Sequence, residues 1–134
     1  MIVVDSSVWI DFLNGLDTRQ TDRLDVSLRR DNVLVADLVL AEILQGIGTD
    51  RQFEKALRIY SILPQLRICD AEIAVEAAGN FRRLRACGVT IRGTIDTLIA
   101  TRCIVDGHPL LFSDRDFEPF VTHLGLVDAM TLTS

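Results

Sequence analysis

Apolar residues gather along this 134-residue chain in short runs, and the spacing between the runs changes character. IVV at 2–4, VLVA at 33–36, LRIC at 66–69, LLF at 110–112 and LV at 126–127 are rich in aliphatic residues, and each is brief enough to be a buried strand. Between them, apolar positions return every three or four residues. Phe53, Ala56, Leu57, Tyr60 and Leu63 form one such series and Ile73, Ala77, Phe81 and Leu84 another, which predicts amphipathic helices. Every run but the last is followed by a helical pattern. Alternation of strands and helices predicts parallel βαβ units, so the expected architecture is α/β: a three-layer α/β/α sandwich around a mainly parallel sheet of four to five strands. With no internal repeat, low-complexity tract or Pro/Gly-rich linker, one domain spanning 1–134 is expected.

Composition narrows this in three ways. Hydrophobic residues make up 49% of the chain and charged residues 25%, proportions of a globular protein rather than a disordered or fibrous one. The longest apolar runs are cut by charges such as Glu42 and Arg102, so no membrane span is expected. The opening MIVVDSSVW has no basic region before its apolar segment, does not read as a signal peptide, and leads us to expect a cytoplasmic location. Cys69, Cys87 and Cys103 are odd in number and widely spaced in apolar surroundings, which suits reduced core thiols rather than a disulfide framework. His108 and His123 are too few and too far apart for a histidine metal site or triad.

A net charge of −5 argues against broad electrostatic attraction to nucleic acid. Yet 13 of the 14 basic residues are arginine, and FRRLRACGVTIRG gathers Arg82, Arg83, Arg85 and Arg92. Arginine favours bidentate phosphate contacts, so a local basic patch on an acidic protein stays open beside the plainer reading of a solvated helix face.

In open parallel sheets, ligands bind beyond the carboxyl ends of the strands, where this chain puts Asp5, Asp37, Asp70 and Asp114. Aspartate is also a preferred helix N-cap, so position alone leaves both roles open at all four. Glu42 is harder to explain. In LVLAEILQG it is the only charge between Asp37 and Asp50, it lies past the first helical turn, and its neighbours Leu38, Ala41, Ile43 and Leu44 are apolar. An ionised carboxylate on such a face needs a cation or a rim position. Asp96 in TIDTLIATRCIV stands in an apolar first turn where Thr94 could cap, and for it capping and ligation stand level. If Asp5, Glu42, Asp96 and Asp114 meet at the sheet's end, their repulsion calls for a divalent cation, and all-oxygen donors select a hard ion, Mg2+ or Mn2+. Such a site suits phosphodiester hydrolysis.

The motifs IVVDSSVWIDFL, VLAEILQG, IRGTIDTLIA and LLFSDRDF, in this order and over essentially the full length, resemble the PIN-domain family, and within it the VapC-type toxin ribonucleases of toxin–antitoxin pairs. The resemblance implies a PIN-like fold and acidic metal ligands at Asp5, Glu42, Asp96 and Asp114, with Asp116 as the additional carboxylate that holds water or a second ion. It implies that Ser6 and Ser113 assist those acids and that Asp37 and Asp70 are helix caps. It further implies an RNA substrate, a cognate antitoxin that inserts a basic residue among the acids, a homodimer, and operator DNA reached only through the antitoxin. Arg82, Arg85, Arg92 and Arg115 are the candidate RNA contacts. Trp9, Phe12, Leu13, Ile43 and Ile47 are either core or the apolar surface for such partners.

Two other classes compete. A phosphorylation-switch receiver also gathers aspartates and Mg2+ at strand ends, but it needs a lysine after a late strand, and the single lysine here, Lys55, falls in a predicted helix. A PIN fold that only binds a partner would keep the architecture without the chemistry.

Overall fold

The computed structural model describes residues 1–132. Ile2, Val3 and Val4 form the centre of its sheet because apolar groups cover them on both faces, leaving Val3 and Val4 at 0% and 1% exposure. This strand, β1 (Ile2–Val4), lies between β2 (Val33–Ala36) and β4 (Leu110–Leu111), with β3 (Gln65–Leu66) beyond β2, and every pairing is parallel. Val3 sits opposite Leu34 on one side and Leu110 on the other. Helices α1 (Ser6–Leu13), α2 (Arg19–Arg29), α3 (Asp37–Gly46), α4 (Asp50–Ile62), α5 (Ala71–Ala86), α6 (Thr94–Asp106) and α7 (Glu118–Leu124) flank the sheet, and 3-10 turns cover Arg115–Phe117 and Ala129–Thr131. Helix α1 packs against α2 and α3, and α5 packs against α6 and α7; a contact between α3 and α6 joins the two groups. The α/β class and the parallel sheet are as expected.

Local chemistry starts and stops these helices. Asp70 caps α5 by accepting the Ile73 N–H at 2.9 Å, the role expected of it. Thr18 caps α2 in a reciprocal box with Thr21. Helix α6 ends at Gly107, whose φ of +74° is left-handed and turns the chain into β4.

Four expectations are corrected. The third strand is Gln65–Leu66 rather than 66–69. Ile68 leaves the sheet because side chains take both its backbone groups: Asp37 Oδ1 accepts its N–H at 3.0 Å, and Arg102 Nε donates to its carbonyl at 2.9 Å. The run at 126–127 forms no strand; the Val127 carbonyl accepts the Leu110 N–H, and an isolated parallel bridge joins Leu110 to Asp128. Of the cysteines only Cys103 is buried, while Cys69 and Cys87 are exposed. Asp37 does not cap α3: it is the first helical residue, and Ala36 stands at the cap without a side-chain bond.

Trp9, Leu13 and Ile43 belong to the core at 3%, 8% and 4% exposure, and Phe12 and Ile47 pack partly buried against it. No helix among the described residues is long and apolar enough to cross a membrane. Beneath the LLFSDRDF segment, Phe117 is fully buried between Phe112 and Phe120, with ring centroids 5.5 and 6.4 Å away. Phe117→Ala should cost about 3–5 kcal/mol by opening a cavity there. Urea unfolding checks this, and a loss under about 1 kcal/mol would contradict the packing described.

Candidate metal centre

Parallel pairing brings the ends of β1 and β4 to one edge of the sheet, and the chain emerges there at Asp5 and then, after Phe112 and Ser113, at Asp114. The Asp5 N–H donates to the Leu111 carbonyl at 2.8 Å, which fixes the two exits against each other. Each aspartate also caps the element after it. Asp5 Oδ2 accepts from the Ser7 N–H at 3.4 Å and the Ser7 hydroxyl at 2.8 Å, and Asp114 Oδ1 accepts the Asp116 N–H at 2.9 Å. Capping and cluster membership are therefore not alternatives here, because both aspartates cap and both also bring a carboxylate oxygen into the cluster.

Glu42 reaches the same place from α3 and Asp96 from the first turn of α6. Gly93, not Thr94, is the cap position of α6 and makes no side-chain bond, so Asp96 is no cap. A Cβ at position 93 would meet Asp96 Oδ2 at 3.2 Å, and glycine gives that carboxylate its room. The two helices are tied through one residue: Ile68 gives its N–H to Asp37 at the head of α3, and its carbonyl accepts from Arg102 of α6. Arg102 also pairs with Asp70 at 3.0 Å.

Two overlapping carboxylate groups result. Ligand atoms of Asp5, Glu42 and Asp96 all lie within 4.8 Å of one another, as do those of Asp96, Asp114 and Asp116, and Asp96 belongs to both. Burial pushes Asp5 above the ordinary carboxylate range against the opposing hydrogen bonds of Ser7 and Ser6. Burial also raises Glu42, reinforced by the charge of Asp5 and opposed by the Ser6 side chain beside it. Asp96 is pushed up to about 7, first by burial and then by Asp5, Glu42, Asp114 and Asp116 in turn. Among the described residues no arginine, lysine or histidine makes an ion pair with any of the five. Glu42 Oε1 is buried without a hydrogen-bond partner, an orphan that a cation would satisfy. The donor set is all oxygen, which suits a hard divalent ion.

The hydroxyl that holds Asp5 belongs to Ser7; its signal in the sequence is a serine two residues past a cap aspartate. Ser113 is exposed and makes no side-chain hydrogen bond among the described residues. Arg92 and Arg115 are exposed beside the cluster, one just before Gly93 and the other between Asp114 and Asp116. Arg82 and Arg85 line a groove between α5 and α6. Lys55 is exposed in the middle of α4 rather than at the end of a late strand, so the receiver reading has no lysine where it needs one.

Residues 2–120 match the PIN domain. The chain belongs to the PIN-domain family. It is similar to Ribonuclease VapC11 of Mycobacterium tuberculosis, 30% identical over 121 residues covering 88% of this chain and 90% of the relative. Its fold matches that of VapBC2 from Rickettsia felis, solved bound to a promoter DNA fragment, with a TM-score of 0.71 at 22% identity over 95% of this chain and 96% of that one. It also matches Mycobacterium tuberculosis VapC20, described as a toxin that cleaves the sarcin-ricin loop, with a TM-score of 0.67 at 21% identity over 96% and 98% of the two chains.

The raised Asp96 has a consequence for the metal-free protein. Between the ordinary 3.8 and about 7, the folded state keeps a proton that the unfolded chain has released. Stability should therefore fall as pH rises through that window and level off above it. Asp96→Asn should flatten the fall and raise the midpoint near neutral pH by about 4 °C, what roughly 1 kcal/mol moves in a domain of this size. Thermal melts in EDTA across the window test this; an unchanged pH slope in the variant would contradict the assignment.

Proposed function

We propose that this chain is a metal-dependent endoribonuclease of the VapC type, the toxin of a toxin–antitoxin pair, acting in the cytoplasm as a single domain over residues 1–134. The observation that carries this is the gathering of Asp5, Glu42, Asp96, Asp114 and Asp116 into two carboxylate groups that share Asp96, with no cationic side chain paired to them among the described residues. The ribonuclease name of VapC11 and the toxin description of VapC20 support the activity and the role.

Asp5, Glu42, Asp96 and Asp114 would hold Mg2+ or Mn2+, and Asp116 would support a first ion or hold a second. A divalent cation there would activate a water molecule and neutralise charge growing on a phosphoryl oxygen. The chain's own part is to aim its carboxylates. Ser7 holds Asp5 through two hydrogen bonds to one carboxylate oxygen. The Asp116 N–H on Asp114 keeps both aspartates on one 3-10 turn at the exposed rim, where substrate enters. Asp96, with its affinity for protons near neutrality, carries a proton when the site is empty and gives it up when a cation binds.

The RNA strand is the proposed substrate. A cognate antitoxin would neutralise the cluster by lending it the missing basic side chain. A homodimer would pair with antitoxin dimers, and operator DNA would be reached through the antitoxin, in keeping with the promoter-bound VapBC2 structure.

Replacing Asp5 or Asp96 with Asn, or Glu42 with Gln, should lower Mn2+-dependent RNA cleavage on the order of 100-fold and abolish growth inhibition, with folding intact. Ser7→Ala should cost about 10-fold through loss of aim at Asp5. Cleavage by purified protein with and without EDTA, beside growth on induction, reads all of these. Full toxicity of the Asp5 and Asp96 variants would refute the site.

A further inference from the structure

Arg102 stands on the same helix as Asp96, about 9 Å further along its axis. Its side chain is largely buried, at 13% exposure, and all three guanidinium nitrogens are engaged. Nε donates to the Ile68 carbonyl at 2.9 Å, Nη2 meets Asp70 at 3.0 Å, and Nη1 lies 3.5 Å from Asp106. The Ile68 N–H points the other way, to Asp37 Oδ1 at 3.0 Å, and Asp37 opens the helix that carries Glu42. Ile68 itself is fully buried, which makes it a fixed point between α3 and α6. The Arg29–Asp25 pair, by contrast, joins two positions on one helix and ties no elements together.

The carboxylates of Asp5, Glu42 and Asp96 repel one another, and α3 and α6, which pack together, carry two of them. Groups that share a ligand must be held to within about 0.5 Å, so the seam between these helices needs a tie. Arg102 makes its ion pairs with Asp70 and Asp106 and none with the cluster, so it does not serve as a counter-charge there. We propose that Arg102 is a positioning residue for the metal centre: through the two backbone groups of Ile68, and Asp37 beyond them, it holds Asp96 of α6 in register with Glu42 of α3. The proposal rests on the reading of the cluster as a divalent-cation site. Arginine suits the task because its rigid fork serves three acceptors at once, which the single ammonium group of lysine does not.

The test uses the full chain stripped of metal, with Mn2+ as the probe and free Mn2+ read by its electron paramagnetic resonance signal. Arg102→Gln and Asp37→Ala should each weaken Mn2+ binding about tenfold. Together they should weaken it no more than either alone, because both cut the same connection. Arg102→Lys keeps the charge beside Asp70 and Asp106 and should not restore affinity. Thr101→Val, next along α6, removes the buried acceptor of Asn80 but leaves Ile68 untouched, so it should lower the melting temperature in EDTA and spare Mn2+ affinity. In the metal-free protein the Ile68 amide proton should exchange with solvent faster in Arg102→Gln. If that variant does not fold, Asp37→Ala, at an exposed position, carries the same reading. Wild-type Mn2+ affinity in the Arg102 and Asp37 variants overturns the proposal, as do losses that multiply in the double variant. Rescue by lysine marks plain charge compensation, and an equal loss in Thr101→Val marks the general stability of α6; either overturns it too. An unsubstituted chain that binds no Mn2+ overturns the metal reading and the proposal with it, which is distinct from a failed tie, where the unsubstituted chain binds Mn2+ and the variants bind it equally well.

Discussion

The central constraint in this molecule is electrostatic. Five carboxylates meet at one edge of the sheet with no cationic side chain paired to them among the described residues. Two like charges about 4 Å apart repel by roughly 4 kcal/mol near a protein surface. The chain bears this because the groups stand on elements it cannot easily move: β1 in the middle of the sheet, β4 beside it, and a 3-10 turn anchored by the fully buried Phe117. The apolar core beneath holds the polar edge in an arrangement that is unfavourable until a cation arrives.

Caps and proposed ligands are the same residues at this edge. A parallel strand ends where its following helix begins, so the residue at the junction has backbone N–H groups to satisfy and faces the ligand site as well. Asp5 and Asp114 each cap the element that follows and stand in the carboxylate cluster as well. Asp70, at another such junction, spends its carboxylate on the Ile73 N–H and on Arg102, which together hold it below its ordinary range. The difference between a ligand and a plain cap is what else the fold brings near.

Much of this was legible in the sequence. The runs at 2–4 and 33–36 are strands to the residue because uninterrupted aliphatic side chains have one comfortable place in such a fold. Glu42 was conspicuous through its apolar neighbours, while the choice among the aspartates came from motif resemblance rather than periodicity. Other features were hidden for physical reasons. Helix α2 turns Thr21 and Ser27 inward beside Leu24, so its buried stripe does not look apolar. The third strand was misjudged because Ile68, fully buried, is hydrogen-bonded by side chains from distant positions. Ser7 went unnoticed behind Ser6 because either serine could serve a cap aspartate until the helix geometry is known.

The junction at Ile68 has one more implication. What couples the two helices there is the backbone N–H and carbonyl of a single residue, and every amino acid but proline supplies both. The residue written at position 68 can drift among apolar types while the mechanical link persists, so relatives compared letter by letter would carry no mark of it. Its record would lie instead at the two ends, in the acid that begins α3 and the arginine midway along α6.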